Sequence, residues 1–171
     1  MAETLLRFEQ AVLPHLDAAY NLARWLLRDQ HDAEDIVQQS YLLAFRGYER
    51  FRGGDARAWV LAIVRNACYS HLRQLRGAKT QALDDALVES DGASDPQLAL
   101  ERAIDREALM AAIEELPAVF REVFVLREME GLSYQQIADV AGVPVGTVMS
   151  RLARARQRLA ESLKDQAPAE K

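Results

Sequence analysis

Apolar residues recur every three or four positions through most of this chain, and β-branched patterning is sparse. The first such pattern runs over residues 4–13 and stops near Pro14; the second runs over 15–28, with Leu16, Tyr20, Ala23 and Leu27 on one face. A third helix begins at Asp32 and continues to Gly47. The Gly53-Gly54 pair then breaks the chain, and Asp55 caps a fourth helix that reaches Arg76. Inside it Trp59, Ile63, Ala67 and either Tyr69 or Ser70 follow helical spacing. Four helices of this size predict one compact bundle. Residues 77–98 read as a flexible linker, small, polar and acidic with weak periodicity. Two further helices follow: one over 97–115, and one with Pro117 in its first turn that ends at Gly131.

The segment LSYQQIADVAGVPVGTVMSRLARARQRL, residues 132–159, has the organisation of a helix-turn-helix. Ser133 caps the first helix and Gln136, three residues on, completes a capping box. Ile137, Ala138 and Ala141 give that helix a small apolar face, which lets a second helix cross closely. Gly142 closes it, Val143 plugs the turn and Pro144 opens the second helix. On that second helix Val148, Leu152, Ala155 and Leu159 form one narrow stripe. Arg151, Arg154 and Arg158 form the next, with Thr147 and Ser150 near the N-terminal end. One stripe packs while the other enters a major groove, where arginine pairs with guanine edges or holds phosphates. An ordinary solvated basic face is the competing reading.

A net charge of −5 over 171 residues runs against nucleic-acid binding, but the average hides a segregation. From Arg46 to Arg76 seven arginines face only Glu49 and Asp55; from Asp84 to Glu107 acidic residues dominate; from Arg151 to Lys164 the balance is positive again. Two basic patches separated by an acidic stretch suit two DNA-facing surfaces joined by a spacer. Cys68 is the only cysteine, which excludes an internal disulfide and fits a reducing cytosol. No apolar run reaches the roughly 20 residues of a membrane span, and the N-terminus has no export signal. A cytoplasmic protein is expected. His15, His31 and His71 are scattered and no phosphate loop or dinucleotide glycine pattern is present, so neither catalysis nor a metal or cofactor is expected.

With these motifs in view, residues 131–159 resemble the C-terminal promoter-binding module of extracytoplasmic-function (ECF) sigma factors. DAEDIVQQSYLLAF, Asp32 to Phe45, is similar to the polymerase-binding helix of that family, and FRGGDARAWVLAIVRNACYSHLRQ, Phe51 to Gln74, to the part that opens and reads the −10 element. The three occur in the family's order. The resemblance implies an alternative sigma factor that binds core RNA polymerase and directs promoter-specific initiation. Its partners would be the clamp coiled coil of the largest polymerase subunit, promoter DNA and an anti-sigma factor.

Asp32, Asp35, Gln38, Gln39 and Leu42 are implied for polymerase docking, although carboxylates opening a helix also complement its dipole. Tyr48, Arg52, Arg65, Asn66 and Arg73 are implied for the single-stranded −10 element; Trp59 and Ile63 fit the core better than contact. Thr147, Ser150, Arg151 and Arg154 would read the −35 duplex, with Arg158 on phosphate. Met149 stands where several relatives carry arginine, so the base preference does not transfer; Gln39 stands where many carry glutamate, so the docking affinity does not transfer either. The expected architecture is all-α: an N-terminal unit over 1–76, a linker over 77–98 and a C-terminal helix-turn-helix unit over 99–171. The competing classes are an autonomous helix-turn-helix regulator, which would need no docking face and would usually dimerise, and an interaction scaffold that has lost DNA binding.

Overall fold

The computed structural model describes residues 1–77 and 106–166, and every regular element among them is helical. The expected linker lies outside the described residues, apart from Gly77. Helix α1 spans Ala2–Val12, and Pro14 falls in a 3₁₀ turn, Leu13–His15, that leads into α2, Leu16–Leu27. Arg28 ends α2 in the left-handed region at φ 61°, its amide donating to the Arg24 carbonyl at 2.9 Å. Helix α3, Gln30–Gly47, starts two residues before the expected point because Asp29 is its cap; the Asp29 carboxylate accepts from the Asp32 amide at 2.9 Å. A 3₁₀ turn, Tyr48–Arg50, follows, and α4, Ala56–Arg76, opens on Asp55, which accepts from the Ala58 amide at 3.0 Å. That bond holds the Asp55 carboxyl below the usual carboxylate range.

Helices α2, α3 and α4 pack on one another. Ala19 and Ala23 of α2 are fully buried beside Leu22 and Leu26, so the neighbouring helices approach closely. The buried face of α4 is Ala58, Leu61, Val64 and Cys68, not the expected stripe of Trp59, Ile63 and Ala67. Trp59 and Ile63 instead flank a smaller cluster in which Phe8 and Val12 of α1 meet Ala44 and Val60. Both faces of α4 are therefore apolar, and each serves a different neighbour. Burial pushes the Cys68 thiol up to about 12, as suits packing rather than reactivity.

The C-terminal half consists of α5, Arg106–Glu115, α6, Ala118–Phe124, α7, Tyr134–Ala141, and α8, Val145–Gln166. Pro117 sits at the cap of α6 rather than in its first turn. Helix α6 runs into a π turn, Val125–Met129, closed where the Glu130 amide donates to the Val125 carbonyl at 3.1 Å. Val148, Leu152, Ala155 and Leu159 of α8 are all buried, as the stripe predicts.

The halves do not stand apart. Helix α7 lies across α4, and α2 packs on α6 and the π turn. A single hydrophobic core runs without interruption from Ala18 and Leu22 through Leu61 to Val123, Ile137 and Leu159.

Candidate nucleic-acid interface

The turn between α7 and α8 is built by the chemistry its residues predict. Ser133 Oγ accepts from the Gln136 amide at 3.1 Å, and the Gln136 side chain accepts from the Ser133 amide at 2.8 Å. Gly142 adopts φ +69°, and its amide donates to the Ala138 carbonyl at 2.9 Å. A β-branched residue there would be held in the left-handed region at roughly 1–2 kcal/mol. Gly142→Val is therefore expected to lower stability by about that amount in a denaturant melt, although a Cβ would meet no neighbour within 4 Å. Arg127 fixes the approach to α7: Nη1 donates to the Leu132 carbonyl at 2.8 Å, and the guanidinium lies 4.5 Å from the centre of the Tyr134 ring. From the other side, Arg156 of α8 pairs with Glu128 in the π turn.

The outward residues of α8 have unequal surroundings. Ser150 is exposed, its hydroxyl donating to the Gly146 carbonyl at 2.9 Å, and Met149 beside it is exposed as well. Thr147 and Arg154 are half-buried. The Arg158 guanidinium lies 5.2 Å from the centre of the Phe120 ring, anchored within its own half. Arg151 is half-buried, its Nη1 has no hydrogen-bond partner, and its charge acts on Tyr69 of α4.

Of the second set, Arg52, Asn66 and Arg73 are exposed, Arg52 in the loop that carries Gly53 and Gly54. Tyr48 donates to the Arg7 carbonyl at 3.2 Å and its ring stacks on Phe51 at 6.0 Å, with Trp59 4.8 Å beyond Phe51. This aromatic group borders the loop. Arg65 departs from the expectation: its Nε donates to Glu122 Oε1 of α6 at 2.6 Å, which leaves the side chain 18 % exposed. Burial disfavours its charge, but the Glu122 carboxylate outweighs that and raises its pKa. Tyr69 donates to the other Glu122 oxygen at 3.1 Å. The reason is tertiary. Helix α4 turns this edge towards the second half of the chain, while Arg65 Nη1 also donates to Asn66 Oδ1 at 3.3 Å.

On α3, Asp35, Gln38, Gln39 and Leu42 are exposed together. Leu43, which the pattern assigns to the inner face with Ile36 and Ser40, is 59 % exposed and adjoins Leu42 at 55 %. Asp32 is half-buried, with Oδ2 3.3 Å from His71 Nε2 of α4.

Sequence reasoning missed the residues that join the halves. Glu130 accepts from Asn21 Nδ2 at 2.7 Å through its side chain and from Arg57 Nη2 at 2.7 Å through its carbonyl. Gln136 Nε2 donates to Asp55 Oδ2 at 2.7 Å. Arg121 is buried and donates to the carbonyls of Leu116 and, across the seam, Leu26 at 2.6 and 3.5 Å; burial lowers it to about 10. The available signal was in α6, where Arg121 and Glu122 sit between Val119-Phe120 and Val123-Phe124, which leaves no polar face.

Residues 11–77 match the sigma-70 region 2 family and residues 106–159 the sigma-70 region 4 family. The chain is 34 % identical to the ECF RNA polymerase sigma factor SigE of Mycolicibacterium smegmatis over 158 residues, covering 91 % of this chain and 61 % of that protein. It is 34 % identical to the RNA polymerase sigma-H factor of Pseudomonas aeruginosa (91 % and 86 % covered) and 36 % identical to the ECF sigma factor SigM of Mycobacterium tuberculosis (91 % and 76 %). Among solved structures, the sigma factor RpoE of Bartonella quintana, in complex with the anti-sigma factor NepR, superposes with a TM-score of 0.70 at 33 % identity, over 94 % of this chain and 99 % of that one. CnrH, in complex with the cytosolic domain of CnrY, gives 0.65 at 27 % identity, over 94 % and 89 %.

Proposed function

This chain belongs to the ECF sigma factors of RNA polymerase, and from that premise we propose a division of labour among its exposed faces. A sigma factor recognises promoters. Here α3 docks on the clamp helix pair of the largest polymerase subunit through Asp35, Gln38, Gln39 and Leu42, with Leu43 extending the apolar part and Asp32 supporting the start of the helix. Tyr48, Arg52, Asn66 and Arg73 take the single-stranded −10 element. Thr147, Ser150, Arg151 and Arg154 read the −35 duplex, with Arg158 towards phosphate. The protein works in the cytoplasm as a non-catalytic initiation subunit. An anti-sigma factor is the expected antagonist, as the complexes of its structural relatives suggest.

The observation that carries this reading is the exposed face of α3. Two adjoining leucines, each more than half exposed, stand beside a carboxylate and two amides on a helix whose opposite face is core. A large apolar pair left in water beside polar groups is what a protein-binding face presents. An autonomous regulator would have no use for it.

Run-off transcription tests the assignment. Core polymerase is supplied with a promoter library, with and without the chain. Transcripts that start at defined sites only when it is added are expected, and their upstream sequences give both elements. Dependence of no transcript on the chain, together with a shift of duplex DNA by the chain alone, would make it an autonomous regulator.

A further inference from the structure

Arg65 and Tyr69 lie on the helix assigned to the promoter strand, yet both are spent inside the molecule. Glu122 is 0 % exposed, and its two oxygens are divided between them, with the Arg65 guanidinium 4.1 Å from the centre of the Tyr69 ring. A carboxylate held by a guanidinium in this way occupies the site that a DNA phosphate would take, since both are oxyanions that suit the same fork of donors. With Nε on Glu122 and Nη1 on Asn66 Oδ1 at 3.3 Å, little of the Arg65 guanidinium is left for a second anion.

We propose that Glu122 is an internal phosphate mimic and latch: it seats in the Arg65–Tyr69 pair of α4, holds the halves of the chain together, and withdraws that pair from DNA until the halves separate. The inference rests on the reading of α4 as a DNA-facing helix, and adds to it that the free chain restrains itself with no antagonist bound.

Three features support the latch beyond the ion pair. The contacts across the seam run the length of α4: Gln136 on Asp55, Glu130 on Arg57, Glu122 on Arg65 and Tyr69. Helix α7 of the helix-turn-helix is the element laid across α4, so closure brings both DNA-binding modules together. Arg151 of the reading helix is drawn in as well, half-buried, with one nitrogen lacking a hydrogen-bond partner. A cation left in that state gains partners when the seam opens.

The π turn gives the latch its connection to α8. Three polar residues in and just after it hold different elements: Arg127 the start of α7, Glu128 the α8 arginine Arg156, and Glu130 both α2 and α4. Opening frees Glu130 and leaves the other two holding α7 and α8 of the helix-turn-helix in place.

The test uses the full chain without polymerase. Glu122→Gln removes the charge and keeps the shape; Glu130→Lys sets a cation against Arg57 at a second point on the seam. Each is expected to enlarge the radius of gyration in small-angle scattering at unchanged helicity, and to bind a labelled single-stranded DNA oligonucleotide roughly five- to thirtyfold more tightly, the effect of a modest shift in a two-state balance. The gain should shrink with salt, as phosphate contacts do. Adding Arg65→Ala to Glu122→Gln should abolish it, which a merely structural Glu122 would not predict.

Both variants folded, with size and oligonucleotide affinity as in the parent chain, would overturn the latch. A gain that survives Arg65→Ala would overturn the phosphate mimicry. Should Glu122→Gln fail to fold, Glu130→Lys decides alone. Failure in run-off transcription defeats the promoter assignment and leaves the size measurement readable, so the two ideas fall separately.

Discussion

Leu152→Ala is expected to cost about 2–5 kcal/mol of folding stability, the range for a buried leucine truncated where the surroundings relax only partly. Leu152 is 1 % exposed in the inner stripe of α8, which packs mainly on α6. A domain of this size has a total stability of roughly 5–15 kcal/mol, so the loss is a large share and should lower the melting temperature by on the order of 10 °C. The form of the melt carries the sharper information. Because one core runs from α2 and α4 into α6, α7 and α8, the parent and the variant should each unfold in a single calorimetric transition. Two transitions, with only one moved by the substitution, would show that the seam couples the halves too weakly for them to melt together.

The second large effect concerns polymerase. Asp35→Arg reverses the charge on the α3 face and is expected to weaken binding to core polymerase by roughly thirtyfold, the scale of an important interface residue. Asp35 is exposed, so the melting temperature of the free chain should hardly move. Titration of labelled chain with core polymerase measures the loss. Unchanged affinity would remove Asp35 from the docking face, and a parallel fall in stability would point to a structural role instead.

Local signals were legible in the sequence. The Ser133–Gln136 box, the Gly142 turn and the inner stripe of α8 are each settled by residues within a few positions of one another, and each stands where the pattern puts it. The start of α3 was displaced because Asp29 and Asp32 both qualify as caps, and the polar Gln30-His31 pair between them hides the first turn. The reading of α4 was incomplete for a different reason. The helix has two apolar faces: the spacing of Trp59 and Ile63 marks the one that packs on α1, and the face of Leu61 and Val64 carries the main core.

Arg65 shows where reading from sequence fails. Its partner is 57 residues away, on a helix whose charged residues read as surface until the apolar residues on both sides are counted. Long-range pairing of this kind leaves no spacing to detect. Two basic patches were visible; that Arg57 and Arg65 of the first are held by the other half was not.

The π turn has a consequence for how the chain tolerates change in length. A π turn holds one residue more than an α-helix needs, and each helical residue advances the chain by roughly 100°. The extra residue in Val125–Met129 thus sets the compass bearing of all that follows, including the face α8 turns outward. A single deletion there would leave composition, charge and helix content almost untouched while swinging the helix-turn-helix by about a quarter of a circle. In this stretch the number of residues is itself an instruction, and it points the reading helix.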